Sequence, residues 1–331
     1  MGRNDRLVTR RRVVQGIAAL GLGASERAAR TLAQATPPAA TPVNGGFPVT
    51  LSHAQGETTI PARPERIVTT TDFADLDFLL TLGVEPVLYG FSNSWESGPM
   101  PWQAGAEDLP HIDFTGELDF EAIVAAQPDV IITTPQYVED WYERLSAIAP
   151  TIALDWNTPW RDGLRLVARA VGEEERAEQE IAATGALLAA AQADLAPAAA
   201  RPLMVGFQYD DVAYIWGPQS PGGAFFQDLG LTFVGGDDPI IQQISLEQFT
   251  LLTPAEMLLS VASDPPAIAA QEANPLFLTL PAVKRRGYGV LSVLQSRAIA
   301  DEINPLSIAW VLPDLVSLLL ELAAGDGSAL A

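Results

Sequence analysis

The sequence predicts an α/β fold of two Rossmann-like lobes with mostly parallel sheets, joined by a single long α-helix, with a ligand cleft between the lobes. Three observations predict it. Short apolar, β-branched runs recur at 67–70, 129–133, 151–154, 203–207, 257–261 and 289–293, as buried parallel strands do. Helical patterns at 73–82, 119–126 and 137–149 alternate with the first of them, the arrangement of stacked strand–helix units. Residues 160–196 carry no strand signal at all.

Each element has a local rationale. Arg63-Pro64 leads into the first strand extended, because the residue before proline avoids the helical region. Leu82-Gly83-Val84 ends the first helix at a glycine C-cap. Asp119 is placed to cap the helix that carries Glu121, and Ser245 with Glu247 reads as a similar start. In the middle, 160–171 is helical, Gly172 breaks the pattern, and 173–195 resumes it with good helix formers until Pro197 and Pro202. The expected organisation is a signal over 1–35, a Pro/Ala/Thr-rich leader over 36–48, a lobe over 49–157, a linking helix over 158–196 and a second lobe over 197–331.

Composition excludes several functions. The 331 residues suffice for two cores. The 41 acids against 19 Lys plus Arg give a net charge of −22, which opposes nucleic acid and anionic lipid as partners. There is no cysteine, which removes disulfides, thiolate metal sites, Fe–S clusters and a lipid-modified cysteine. Residues 1–12 carry five arginines, an apolar run over 13–24 follows, and Ala33-Gln34-Ala35 has the small-x-small pattern of a cleavage site. Thr9-Arg10-Arg11-Arg12-Val13-Val14-Gln15 resembles a twin-arginine export signal. Cleavage there would remove seven arginines and two acids, leaving 12 cations against 39 anions. That charge favours a neutral or cationic ligand over a strongly anionic one.

Five segments, in register, carry a resemblance. They are 60–68 with 82–87; Leu118-Asp119-Phe120-Glu121-Ala122-Ile123 with Gln127-Pro128-Asp129-Val130-Ile131; 148–151 leading to Asp155-Trp156; Gly222-Gly223-Ala224-Phe225-Phe226 with 229–231 and 244–247; and Leu280-Pro281-Ala282-Val283-Lys284. Together with the helix-only middle they resemble the class III periplasmic binding proteins, receptors of iron-siderophore, haem and cobalamin ABC importers. The resemblance runs over about 49–325. It implies a ferric siderophore (an Fe3+ chelate) as ligand, no covalently held cofactor, a monomer, and docking on an ABC permease through one acid per lobe, here Glu121 and Glu247. As surface acids, both also suit the helix dipole alone.

The candidate ligand residues are Trp95, Trp102, Tyr137, Trp156, Tyr209, Trp216 and Arg297. Trp95, Trp102 and Trp216 lie in segments read as loops after strands, where open α/β sheets bind ligands, and aromatic walls suit a bulky chelate. For each tryptophan, core packing is the competing reading. The resemblance implies a role for Tyr137, a position at which hydroxamate receptors carry a chelate-facing Tyr. The Arg those receptors place before the Glu121 helix is Thr115 here. Arg297, read in a loop after the last strand, is one of few cations in an acidic chain. His53 and His111 are the only histidines, too few for a zinc or manganese receptor. Haem or cobalamin remains an alternative cargo. So does an enzyme built on Asp72, Asp75 and Asp77, although these three also fit a capped helix start.

Overall fold

The computed structural model describes residues 46–92, 99–114, 117–134, 141–209, 212–261, 265–300 and 303–330. The expected signal, most of the leader, Trp95, Thr115 and Tyr137 lie outside the described residues.

The first half opens with an antiparallel hairpin of β1 (Val49–His53) and β2 (Gly56–Ile60). There follow β3 (Ile67–Thr69), α1 (Ala74–Thr81), β4 (Tyr89–Phe91), β5 (His111–Asp113), α2 (Phe120–Ala125), β6 (Val130–Thr133), α3 (Trp141–Ser146) and β7 (Thr151–Ala153). β3, β6 and β7 form a parallel sheet in the order β3-β6-β7. The parallel pair β4-β5 joins it through a bridge between Val68 and Leu88. Every residue of β3, β6 and β7 is buried, as expected for parallel strands covered on both faces.

The signature segments are largely architectural. Asp129 accepts the backbone amides of Glu65 and Arg66 at 2.8 and 2.9 Å, which locks the lead-in of β3 to the start of β6. The Arg66 guanidinium donates to the carbonyls of Ala126 and Gln127 and so caps the C-terminus of α2. Gly83, at φ +71°, ends α1 as expected, with the Val84 amide donating to the Leu79 carbonyl. Asp119 caps α2 by accepting from the Ala122 amide.

The connection is two helices instead of one, α4 (Trp160–Val171) and α5 (Glu174–Asp194). Gly172 sits between them at φ +76°, a conformation that costs glycine little and other residues more. Arg63 pairs with Glu173 at this elbow. α4 buries Trp160, Leu164, Val167, Ala168 and Val171, one stripe of a 3.6-residue period. Gly163 lets it approach α1, because a Cβ there would stand 2.7 Å from the Phe78 ring.

The second half holds β8 (Leu203–Tyr209), β9 (Val212–Trp216), α6 (Pro221–Asp228), β10 (Ile241–Ser245), a 3-10 helix (Leu246–Leu252), β11 (Met257–Val261), α7 (Pro265–Glu272), α8 (Pro281–Lys284), β12 (Tyr288–Leu291), α9 (Val293–Ala300) and α10 (Pro305–Ala324). The sheet order is β10-β9-β8-β11-β12. β8, β11 and β12 are parallel, whereas β9 and β10 run antiparallel, a half that the sequence reading did not resolve. The mixed α/β class holds. One hydrophobic core runs from Leu79 through Leu164 and Leu188 to Leu259 and Leu315, across both sheets and both connecting helices. A fully buried leucine contributes roughly 1.5–3 kcal/mol, so a shared core opposes large hinge motion between the halves.

Candidate functional site

Residues that follow four parallel strands converge on Phe73. Phe73 itself follows β3. Phe114, after β5, meets it edge-on with ring centroids 6.1 Å apart, and Trp156, after β7, meets it edge-on at 6.3 Å. Arg297, after β12, brings its guanidinium 5.3 Å from the Phe73 ring centre. Phe73 and Arg297 are buried and Trp156 is half-buried. An aromatic wall beside a cation, past the carboxyl ends of parallel strands from both halves, is where an α/β protein of this kind can hold an organic anion or chelate.

The structure places the expected ligand residues unequally. Trp156 and Arg297 come together at Phe73. Arg297 lies on α9, not in a loop, because β12 ends at Leu291 and helix begins at Val293. Tyr209 is half-buried at the end of β8. Trp102 is buried: its indole N–H donates to Asp77 at 2.9 Å and its ring lies 5.2 Å from that of Trp310. Trp216 ends strand β9, where the sequence reading had a loop. It packs under α6, and a Cβ on Gly222 would fall 2.1 Å from its ring. Both are thus held in packing. Phe73, the hub, escaped the sequence reading; the available signal was an aromatic residue directly between a buried strand and a helix.

Beneath the hub lie three buried carboxylates. They do not form a capped helix start, since Phe73 occupies the N-cap position without a side-chain cap. Asp75 folds back to accept the amides of Thr70 and Thr71 at 3.1 and 3.0 Å, and the Thr71 hydroxyl as well. Burial pushes its carboxyl up to about 7, against those donors. Asp77 accepts from Trp102, from Gln103 at 2.6 Å, and from the side-chain amide of Asn304. Burial raises it to about 7 against the three donors, and the Asp72 charge adds to the rise. Asn304 also caps α10, accepting from the amides of Leu306 and Ser307 at 2.8 and 3.1 Å. The Asp77–Asn304 bond therefore ties the first half to the second. Burial raises Asp72 to about 6, opposed by the Arg297 charge and by the amides of Asp72 and Ser92.

Glu121 and Glu247 are exposed, each in the first turn of a short helix on its own half. Among the described residues no group of three or more His, Asp or Glu stands ready to hold a metal ion. His53 bonds Thr58 at 2.9 Å in the first hairpin, and His111 packs beside Tyr89 and Phe91. An open groove of about 540 Å³ between Glu57, Tyr142 and Thr151 lies at the start of β7, the opposite end of the sheet from Trp156.

Known proteins resemble most of the chain. The family model described as periplasmic binding protein matches residues 67–286. The Fe(3+)-citrate-binding protein YfmC of Bacillus subtilis is 26% identical over 235 residues, 70% of this chain and 74% of that protein. The putative ABC transporter substrate-binding lipoprotein YhfQ of the same organism is 26% identical over 71% of this chain and 78% of its own length, whereas this sequence contains no cysteine. Among solved structures, Staphylococcus aureus SirA complexed with staphyloferrin B matches with a TM-score of 0.70 and 26% identity, covering 82% of this chain and 98% of that one. The iron uptake ABC transporter substrate-binding protein PiaA of Streptococcus pneumoniae matches with a TM-score of 0.69 and 25% identity, covering 84% and 100%.

Proposed function

Because the chain belongs to the periplasmic binding protein family, we propose that it captures a ferric siderophore outside the cytoplasm and delivers it to the permease of an ABC importer. The observation that carries the reading is the convergence of Arg297, Phe73 and Trp156 where the two halves meet. The aromatic rings offer apolar area to the organic frame, and the guanidinium offers N–H donors to chelate oxygens. Relatives named for ferric citrate and for a bound siderophore support the cargo class. In this reading Trp156 and Arg297 contact ligand, and Tyr209, Trp95 and Tyr137 are further ligand candidates. Trp102 and Trp216 hold the walls. The lobes are 49–157 and 197–331, and the chain acts as an exported monomer that binds without catalysis.

Glu121 and Glu247 are the docking acids of the same reading. One exposed carboxylate on each half gives a rigid partner with two arginine-lined sockets a fixed span to recognise, so both contacts depend on the lobes keeping register.

Tryptophan fluorescence tests the cargo, because Trp156 stands in the site. The purified chain is titrated with ferric trihydroxamates, ferric tris-catecholates, ferric citrate, haem and cobalamin. Saturable quenching by a ferric chelate, and not by its iron-free form, is expected. Quenching by haem or cobalamin alone would replace the siderophore, and silence across the panel would remove the receptor reading.

A further inference from the structure

Of the three acids under Phe73, two are committed within the protein. Asp75 is held by Thr70 and Thr71, and Asp77 by Trp102, Gln103 and Asn304. Asp72 differs. It is 1% exposed, yet neither of its carboxylate oxygens has a hydrogen-bond partner. The amides of Asp72 and Ser92 and the Arg297 charge, from the other half, offset part of its burial without giving either oxygen a bonded partner. Two further buried hydroxyls nearby in the sheet lack partners: Thr69, at the end of β3, and Thr134, just past the end of β6. β3 and β6 are neighbours, linked at their ends by a 2.6 Å bond between the Thr70 and Thr133 hydroxyls. Thr69 and Asp72 thus lie at and just past the end of β3, next to Phe73 in the chain, and Thr134 lies just past the end of the neighbouring β6.

Buried polar groups are almost always satisfied, and a carboxylate left open is among the most costly exceptions. Such a group is kept where something outside the chain completes it. Its chemistry sets what that is: a carboxylate accepts, so the completing group must donate. A polyanionic chelate would bring a second layer of acceptor charge against Asp72 in a desolvated junction.

Resting on the siderophore reading, we propose that Asp72 is a specificity-determining residue: its carboxylate accepts a hydrogen bond from an ammonium or N–H group on the chelate's organic frame. The site therefore selects neutral or cationic chelates that carry such a donor. Arg297 faces the chelate oxygens, Phe73 and Trp156 flank the frame, and Asp72 reads the donor from below.

The test uses one ligand in two forms. A linear ferric trihydroxamate ending in a primary ammonium is compared with the same complex whose terminal nitrogen is a dialkyl amide without N–H. A ferric tris-catecholate is the anionic control. Titration of the purified chain is expected to give about tenfold tighter binding of the ammonium form, the scale of one charge-assisted hydrogen bond. Asp72→Asn is expected to bring the two forms within about twofold of each other. An equal ratio in both proteins, or tightest binding of the catecholate, overturns the assignment and leaves the siderophore reading intact. If Asp72→Asn does not fold, the wild-type ratio decides alone, a value near one being the overturning result. Failure of every ferric chelate to bind removes the siderophore reading, and this inference with it.

Discussion

Asp77 and Glu121 occupy similar places in the sequence, each in the first turn of a short helix in the same half of the chain. Asp77 is fully buried and gathers three donors from two distant segments, whereas Glu121 projects into solvent. Glu247 repeats the exposed case in the other half. A first-turn acid suits the helix dipole in either setting. What differs is whether the surroundings turn it into a structural node or leave it available to a partner, and burial decides that.

The contrast predicts a steep order of effects on stability. Asp77→Ala strips the acceptor from Trp102, Gln103 and Asn304 at once, and is expected to cost roughly 3–5 kcal/mol in urea denaturation, the range for breaking a buried charged network. A loss under about 1 kcal/mol would show that the node does not hold the halves together.

The pH dependence comes next. The folded carboxyls of Asp75 and Asp77 stand at about 7, whereas unfolded Asp titrates near ~3.9. In that window the folded chain holds more protons, so this contribution is full below pH ~4 and is lost as pH rises through about 7. The melting temperature is expected to be higher at pH 5 than at pH 8. Relief of the −22 net charge acts in the same direction, so the variant isolates the buried group. Asp77→Asn should shrink the difference by roughly 2–4 °C, the shift that ~1 kcal/mol makes in a chain of this size. An unchanged difference would assign the whole effect to surface charge.

The smallest stability effects belong to the exposed acids. Glu121→Ala and Glu247→Ala should each shift unfolding by less than about 0.5 kcal/mol. Delivery should nevertheless suffer: radio-iron uptake by cells making the chain with its own permease is expected to fall sharply with either variant, while chelate binding by the purified protein stays as in the wild type. Full uptake with both replaced would reduce these residues to dipole partners.

Much of the fold was legible because its parallel strands are short, apolar and buried throughout, so 257–261 appears unchanged as β11 and 129–133 as β6 within a residue. β4 and β5 were not, since Gly90 interrupts the one and His111 and Asp113 flank a lone apolar residue in the other. β9 was read as a loop because Gly217-Pro218 closes it immediately. Of the candidate site, Arg297 was visible through the scarcity of cations, although its helix was not. Phe73 and the Asp77–Asn304 contact were hidden for a different reason. Their meaning depends on partners 227 residues apart in the case of Asn304, and no local pattern records such a distance.

That contact has a consequence for descent. Asn304 spends its amide on Asp77 and its carbonyl on the opening turn of α10, so neither end of the bond is free to drift alone. Replace the acid by a hydrophobe and the amide loses its acceptor; replace the amide by a hydrophobe and both an acid and a helix start are orphaned. Lineages that keep this fold are therefore expected to exchange positions 77 and 304 in concert, as a heritable couple, while the exposed acids at 121 and 247 answer to the history of the permease.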